Sequence, residues 1–262
     1  MCAMDKEKDQ LDRRINDFAT RSFRDMADGD YIAARFAYRA ALMPQAMWSA
    51  QQALEKYLKY ILLVNRVPAT DVRHNINAAL RLTEKLRWKP VLRPESRKFL
   101  EHIAAYGEYR YLDVSYFVIG YPILDLDMIV WDIRRYCQVL DVSGKKLSVA
   151  EQKLLDDAHA MLKESMERPP NEFRLHGGYL EKIIDTAKHP SRSALLWQNA
   201  FFGNRRRATV KLPYSLNGAN SPLYLYPDML EELLKYVYIP RELRNGYREH
   251  LKKIVENSSK RP

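Results

Sequence analysis

Six basic side chains run together in the second half of this 262-residue sequence with no acid among them: Lys188, Arg192, Arg205, Arg206, Arg207 and Lys211 lie between Asp185 and Asp228. Arg206 to Leu212 alternates polar and apolar residues, as does Leu223 to Tyr226, and Asn217-Gly218 between them is a turn signal. The pattern predicts a short β-ribbon over about 206–226, with Arg207, Thr209 and Lys211 on the same face as Tyr224 and Tyr226. Cations beside exposed rings suit single-stranded nucleic acid, charge meeting phosphate and rings stacking on bases. A second charged group, Glu55, Lys56 and Lys59, could receive a phosphate or could be a solvated helical face. His74 has no second ligand at metal spacing, and Cys2 and Cys137 cannot build a zinc site unaided, so neither metal nor cofactor is expected. Asp113, Asp125 and Asp127 resemble a carboxylate site only superficially, because a helix N-terminus explains the last two.

Composition narrows the classes further. A hydrophobic fraction of 47% excludes wholesale disorder. The net charge of +10 arises from 43 basic and 33 acidic residues, and most of the excess follows Gly144. A polyanionic partner is therefore allowed but not demanded. Nine glycines leave little room for phosphate-cradling loops, and neither G-x-G-x-x-G nor the P-loop pattern occurs. The apolar run Tyr60–Val64 is far below the ~18 residues of a membrane span, and the first twenty residues are too charged for a signal core. The expectation is a cytoplasmic protein with no membrane partner.

The elements that must position these groups are mostly helices. Helical periodicity runs from Tyr31 to Val64 with Pro44 breaking it, then through His74–Arg87, the stretch after Pro94, and Ile123–Leu140. Ser148 and Glu151 form a capping box that opens a further helix, with Leu154, Leu155, Ala158, Met161 and Leu162 inward. Segments 173–187 and 192–202 also read as helical. Near the end, Leu230, Leu233, Leu234 and Val237 make one stripe, and Leu243, Tyr247, Leu251, Ile254 and Val255 another. The fold class is mainly α: an up-and-down helical bundle at 1–144, then a basic, α-rich C-terminal domain at 145–262 with a short β-hairpin.

Three features in order carry a resemblance. Ser49–Lys59 holds a Q-A-x-E-K-x-L-K run on an alanine-rich helix, His74-Asn75-Ile76 opens the next, and Tyr106-Gly-Glu-Tyr-Arg110-Tyr111 precedes the last. Together they resemble the HEPN (higher eukaryote and prokaryote nucleotide-binding) domain over about residues 30–142. The resemblance implies a helical bundle that forms a homodimer. It also implies nucleotide binding, or ribonuclease action by an Arg followed four to six residues later by His. In such a pair Arg stabilises the phosphoryl oxyanion while His moves a proton.

Arg110 matches the arginine, but the histidine positions hold Ser115, Tyr116 and Phe117. Arg97–His102 and Arg244–His250 satisfy the spacing literally, yet on a continuous helix their members diverge around the axis. No catalytic residue is therefore assigned. The reading is a non-catalytic module for nucleotide, RNA or single-stranded DNA. Its expected contacts are Lys56, Lys59, Arg110, Tyr111, Tyr116, Arg205, Arg206, Arg207, Lys211, Tyr224 and Tyr226. The alternatives are a toxin- or defence-type ribonuclease, or an interaction scaffold with a nucleotidyltransferase partner chain.

Overall fold

The computed structural model of the chain describes residues 3–106, 112, 114–142, 147–175, 177–203 and 209–259. They form two compact units, one comprising 1–107 with 121–213, the other 108–120 with 214–262. The division at 144/145 read from the linker-like composition thus falls inside the first unit. Tertiary contacts, rather than the polar stretch between helices, set the boundary.

In the first unit α1 (Ala3–Ala19) runs through a π-helical segment, Thr20–Asp25, into α2 (Met26–Arg39). The periodic run is split at Pro44 as expected: α2 ends at Arg39, and Pro44 sits in the first turn of α3 (Met43–Val64), where its missing N–H costs nothing. Fourteen of the 22 residues of α3 are buried, including Leu54, Tyr57, Leu58 and Ile61, which makes it the central helix. Asn75 caps α4 (Ile76–Thr83) by accepting the Ala78 N–H at 2.8 Å. Next come α5 (Pro94–Tyr106) and α6 (Pro122–Arg134), whose stripe of Leu126, Ile129, Val130 and Ile133 is buried, as are Cys137 and Leu140 beyond it. Burial pushes the Cys137 thiol up to about 12, as befits a small core residue.

The expected capping box opens α7 (Val149–Glu167). This helix buries only an edge, Leu162 and Ser165, and Leu154, read as inward, is exposed. Two short helices, α8 (Tyr179–Asp185) and α9 (Arg192–Leu196), complete the unit. Both are shorter than the periodicity suggested.

The second unit contains the strand pair, and its partners differ from those predicted. β1 (Tyr116–Gly120) pairs antiparallel with β2 (Ser215–Ala219), Val118 opposite Asn217. Asn217-Gly218 lies within a strand and makes no turn, and Leu223–Tyr226 forms no strand: Pro222–Leu225 is a one-turn helix, α10. Residues 209–214 are not strand either. The local alternation was outcompeted by β1, an apolar strand about a hundred residues earlier in the chain. Consequently Thr209 and Lys211 share no ribbon face with Tyr224 and Tyr226, and Arg207 lies outside the described residues.

A small core of Leu223, Leu230, Ile239 and Tyr247 joins α10, α11 (Leu230–Leu233) and α12 (Arg241–Ser259). Val237, Ile254 and Val255, read as inward, are exposed, because α11 ends after one turn and α12 has only a small unit to pack against.

Candidate functional site

On α3 the sequence brings charges to one helical neighbourhood at i, i+1 and i+4, and α2 and the start of α4 supply their partners. The Glu55 carboxylate is almost wholly buried. One oxygen accepts from Lys59 Nζ at 2.6 Å, and the other lies 3.2 Å from His74 Nδ1. Lys56 pairs with Asp30 of α2. Burial holds the Asp30 carboxyl above its ordinary range, although the Lys56 ammonium beside it pulls the other way. The His74 side chain is 72% exposed and does not cap α4, a role that Asn75 takes.

Two acids thus meet two lysines, Lys59 with an acid one turn back on its own helix and Lys56 with one on α2. Each ammonium still has three donors and only one carboxylate partner among the described residues, so spare N–H groups can reach a ligand oxygen. His74 adds an imidazole whose one ring nitrogen is engaged by a fixed carboxylate. The arrangement can hold a phosphate or hydroxyl group and can relay a proton at the imidazole.

Beneath this surface lie charged clusters that the sequence reading missed. Asp28 accepts from Tyr57 Oη at 2.6 Å, from Arg134 Nε at 2.9 Å and from Arg134 Nη2 at 3.2 Å, all within the core. Glu181 of α8 lies 3.7 Å from the same guanidinium. Gly178 is needed beside them, since a Cβ there would overlap Arg134 Nη2 and crowd Glu181.

In the second cluster Arg35 pairs with Asp127, and it donates to the Ala194 carbonyl at 3.0 Å and to that of Trp197. Tyr31 donates to Asp127 at 2.6 Å and accepts from Asn199 Nδ2 at 2.9 Å. Burial pushes the Tyr31 and Tyr57 phenols well above their usual range, aided by the carboxylates they donate to. Asp127, which the sequence explains by a helix N-terminus, is the core partner of Arg35, and Arg134 is that of Asp28. Only the facing residues from α2 and from 178–199 reveal this.

Asp125, one turn from the start of α6, is half-buried. Burial, and then the charge of Glu95, push its carboxyl up to about 6. The folded chain therefore keeps a proton that the unfolded chain releases near pH 4. This group's contribution to stability is full below pH 4 and is lost as pH rises through about 6. Asp125→Asn is expected to flatten that slope and, after solvent screening, to stabilise by about 1 kcal/mol at pH 7. Urea titrations of both proteins at pH 4.5 and 7 check it.

Arg110, Tyr111, Arg205, Arg206 and Arg207 lie outside the described residues. Tyr116 is half-buried on β1 in the second unit, and Lys211 is exposed in the first. Tyr224 stacks on His250 with ring centroids 4.6 Å apart, and His250 Nε2 is 3.2 Å from the Tyr224 carbonyl oxygen, while Tyr226 is exposed. That occupies the histidine of the Arg244–His250 pair. Helix α12 also continues through Gly246, so the six-residue step turns Arg244 and His250 about 120° apart. Arg97 pairs with Glu84 at 2.8 Å and leaves His102 five residues away on the same helix. Among the described residues no group of three or more His, Cys, Asp or Glu could hold a metal ion, and no helix is long and apolar enough to cross a membrane.

An α-helical bundle with a Gln51–Glu55–Lys56–Lys59 face and a histidine ahead of the next helix defines the class of this first unit. Residues 20–138 match the family model of the HEPN domain, and the chain carries a HEPN domain over that stretch. No curated protein and no solved structure matches the chain.

Proposed function

We propose that this HEPN-domain protein is a non-catalytic module that binds nucleotide, RNA or single-stranded DNA and assembles as a homodimer through its helical bundle. The observation that carries the reading is the uncompensated positive stretch from Lys188 to Lys211, which belongs to the unit that bears the HEPN domain. Lys188 and Lys211 are exposed, whereas Arg192 is half-buried and donates to the Ile184 carbonyl at 2.9 Å, anchoring the stretch. With Lys56, Lys59 and His74 it gives the unit two places for phosphate oxygens. Tyr224 and Tyr226 lie in the other unit, on an uncharged run, and are not part of this reading. The neutralisation of Lys56 and Lys59 by Asp30 and Glu55 favours a second reading, a protein-interaction scaffold with a nucleotidyltransferase partner.

Fluorescence anisotropy with a labelled single-stranded RNA separates the two readings. Binding is expected to be weak and sequence-tolerant, with the logarithm of affinity falling by roughly 0.7 per phosphate contact for each log unit of salt. Replacing Arg205, Arg206 and Arg207 by Ala should weaken it and flatten the slope. No binding at low salt favours the scaffold. No cleavage dependent on Arg110 is expected, since none of the three residues at its partner positions is an imidazole.

A further inference from the structure

The basic stretch from Lys188 to Lys211 has no aromatic partner in Tyr224 and Tyr226, but the fold sets another ring beside it. Trp197 follows the last turn of α9 and is half-buried. The guanidinium of Arg39, exposed at the end of α2, lies 5.7 Å from its ring centroid, and the ring of Tyr38 is 6.4 Å away. The Lys211 N–H donates to Gln198 Oε1 at 3.3 Å, which brings a second exposed cation against the residue after the tryptophan. The ring is held from beneath. Buried Arg35 donates to the Ala194 carbonyl at 3.0 Å and to that of Trp197, and buried Asn199 donates to Tyr31 Oη at 2.9 Å. Gln198 takes a φ of 47°, which a residue other than glycine adopts only where its surroundings hold it there. The core thus fixes the backbone on both sides of Trp197 and leaves the side chain at the surface.

We propose that Trp197 is a stacking site for an unpaired base of single-stranded nucleic acid, with Arg39 and Lys211 taking the neighbouring phosphates. The inference rests on the nucleic-acid reading above and supplies the ring which that reading lacks. Charge selects the ligand. No acid occurs from Tyr31 to Leu54 or from Thr186 to Pro227, the two segments that supply these residues. Among the described residues neither Arg39 nor Lys211 pairs with a carboxylate. Uncompensated cations beside a ring draw a polyanion, whereas an apolar partner gains nothing from them. Indole rings and guanidinium planes are both surfaces on which splayed-out bases stack, and the contact tolerates any base because each has a π-face. A base inside a duplex keeps its faces against its neighbours, so the site takes single strands. The anchored backbone lowers the ordering cost of binding, since the ring is already in place. Trp197 lies beyond residues 20–138, the span of the family match.

The test uses the full chain and two labelled probes of equal length, an oligouridylate and an abasic oligomer with the same sugar-phosphate backbone. In fluorescence anisotropy the parent protein should bind the oligouridylate about tenfold more tightly than the abasic oligomer, as one stacked base is expected to give. Trp197→Ala, which keeps the carbonyl that Arg35 uses, should abolish that preference and leave the salt slope and the abasic affinity unchanged. Arg39→Ala and Lys211→Ala should each lower the slope by roughly 0.7. Tryptophan emission gives a second readout that does not depend on the alanine variant folding. The oligouridylate should quench the parent's emission and the abasic oligomer should not, while Trp197→Phe should still prefer the oligouridylate and lose the quench. Equal affinity of the parent protein for the two probes overturns the stacking site and leaves phosphate binding standing. So does a preference and a quench that survive in the Trp197 variants. If neither probe binds at low salt, the nucleic-acid reading itself fails and takes this inference with it.

Discussion

Replacing Arg35 by methionine is expected to lower the stability of the helical unit by about 3–5 kcal/mol, the usual cost of stranding one member of a buried ion pair. Asp127 would keep only the Tyr31 hydroxyl as a donor among the described residues, and the Ala194 and Trp197 carbonyls would lose theirs. For a unit of this size the melting temperature should fall by roughly 6–20 °C. Pairing the change with Asp127→Leu removes both charges and should recover much of the loss, since matched apolar replacements of buried pairs are often neutral. Differential scanning calorimetry on the two single variants and the double variant reads the coupling directly. Additive losses in the double variant would show that the pair is not what holds α2 to α6.

A fragment limited to residues 20–138, the span of the family match, is expected not to fold to a rigid domain. The ring of Trp131 packs against Phe173 and Phe202, at 6.1 and 5.5 Å between centroids, and both partners lie beyond the fragment. Arg35 would lose two carbonyl acceptors and Arg134 its Glu181 neighbour. Uncovering one large aromatic and stripping two buried arginines of partners each costs several kcal/mol, comparable with the entire stability of a domain. The fragment should show helical far-ultraviolet dichroism with weak near-ultraviolet signal and dye binding, the marks of lost packing. A sharp, cooperative melt would instead show that residues 147–203 are an ornament.

The sequence by itself determined most of the helices, and it determined the inward faces of the bundle helices α3 and α6. Met47, Ala50, Leu54, Tyr57, Leu58 and Ile61 on α3, and Leu126, Ile129, Val130 and Ile133 on α6, are buried as their spacing requires. Burial of apolar area repeats with the helical period, so the period is visible without knowing the neighbour. The family match over 20–138 also spans residues that could be read directly, Gln51 to Lys59 and His74.

Tertiary structure alone decided which charges face inward. Nothing local distinguishes Arg35 or Arg134 from a solvated arginine; the difference is made by Asp127 and Asp28, about a hundred residues away, which make burial affordable. Lys56 shows the converse, because its partner Asp30 comes from another helix, whereas Lys59 and Glu55 pair one turn apart on α3 and could be read locally. Strand pairing was hidden for the same reason. A strand's alternation fixes its two faces but carries no record of its partner, and Ser215–Ala219 found Tyr116–Gly120, although Leu223–Tyr226 lay far nearer in sequence.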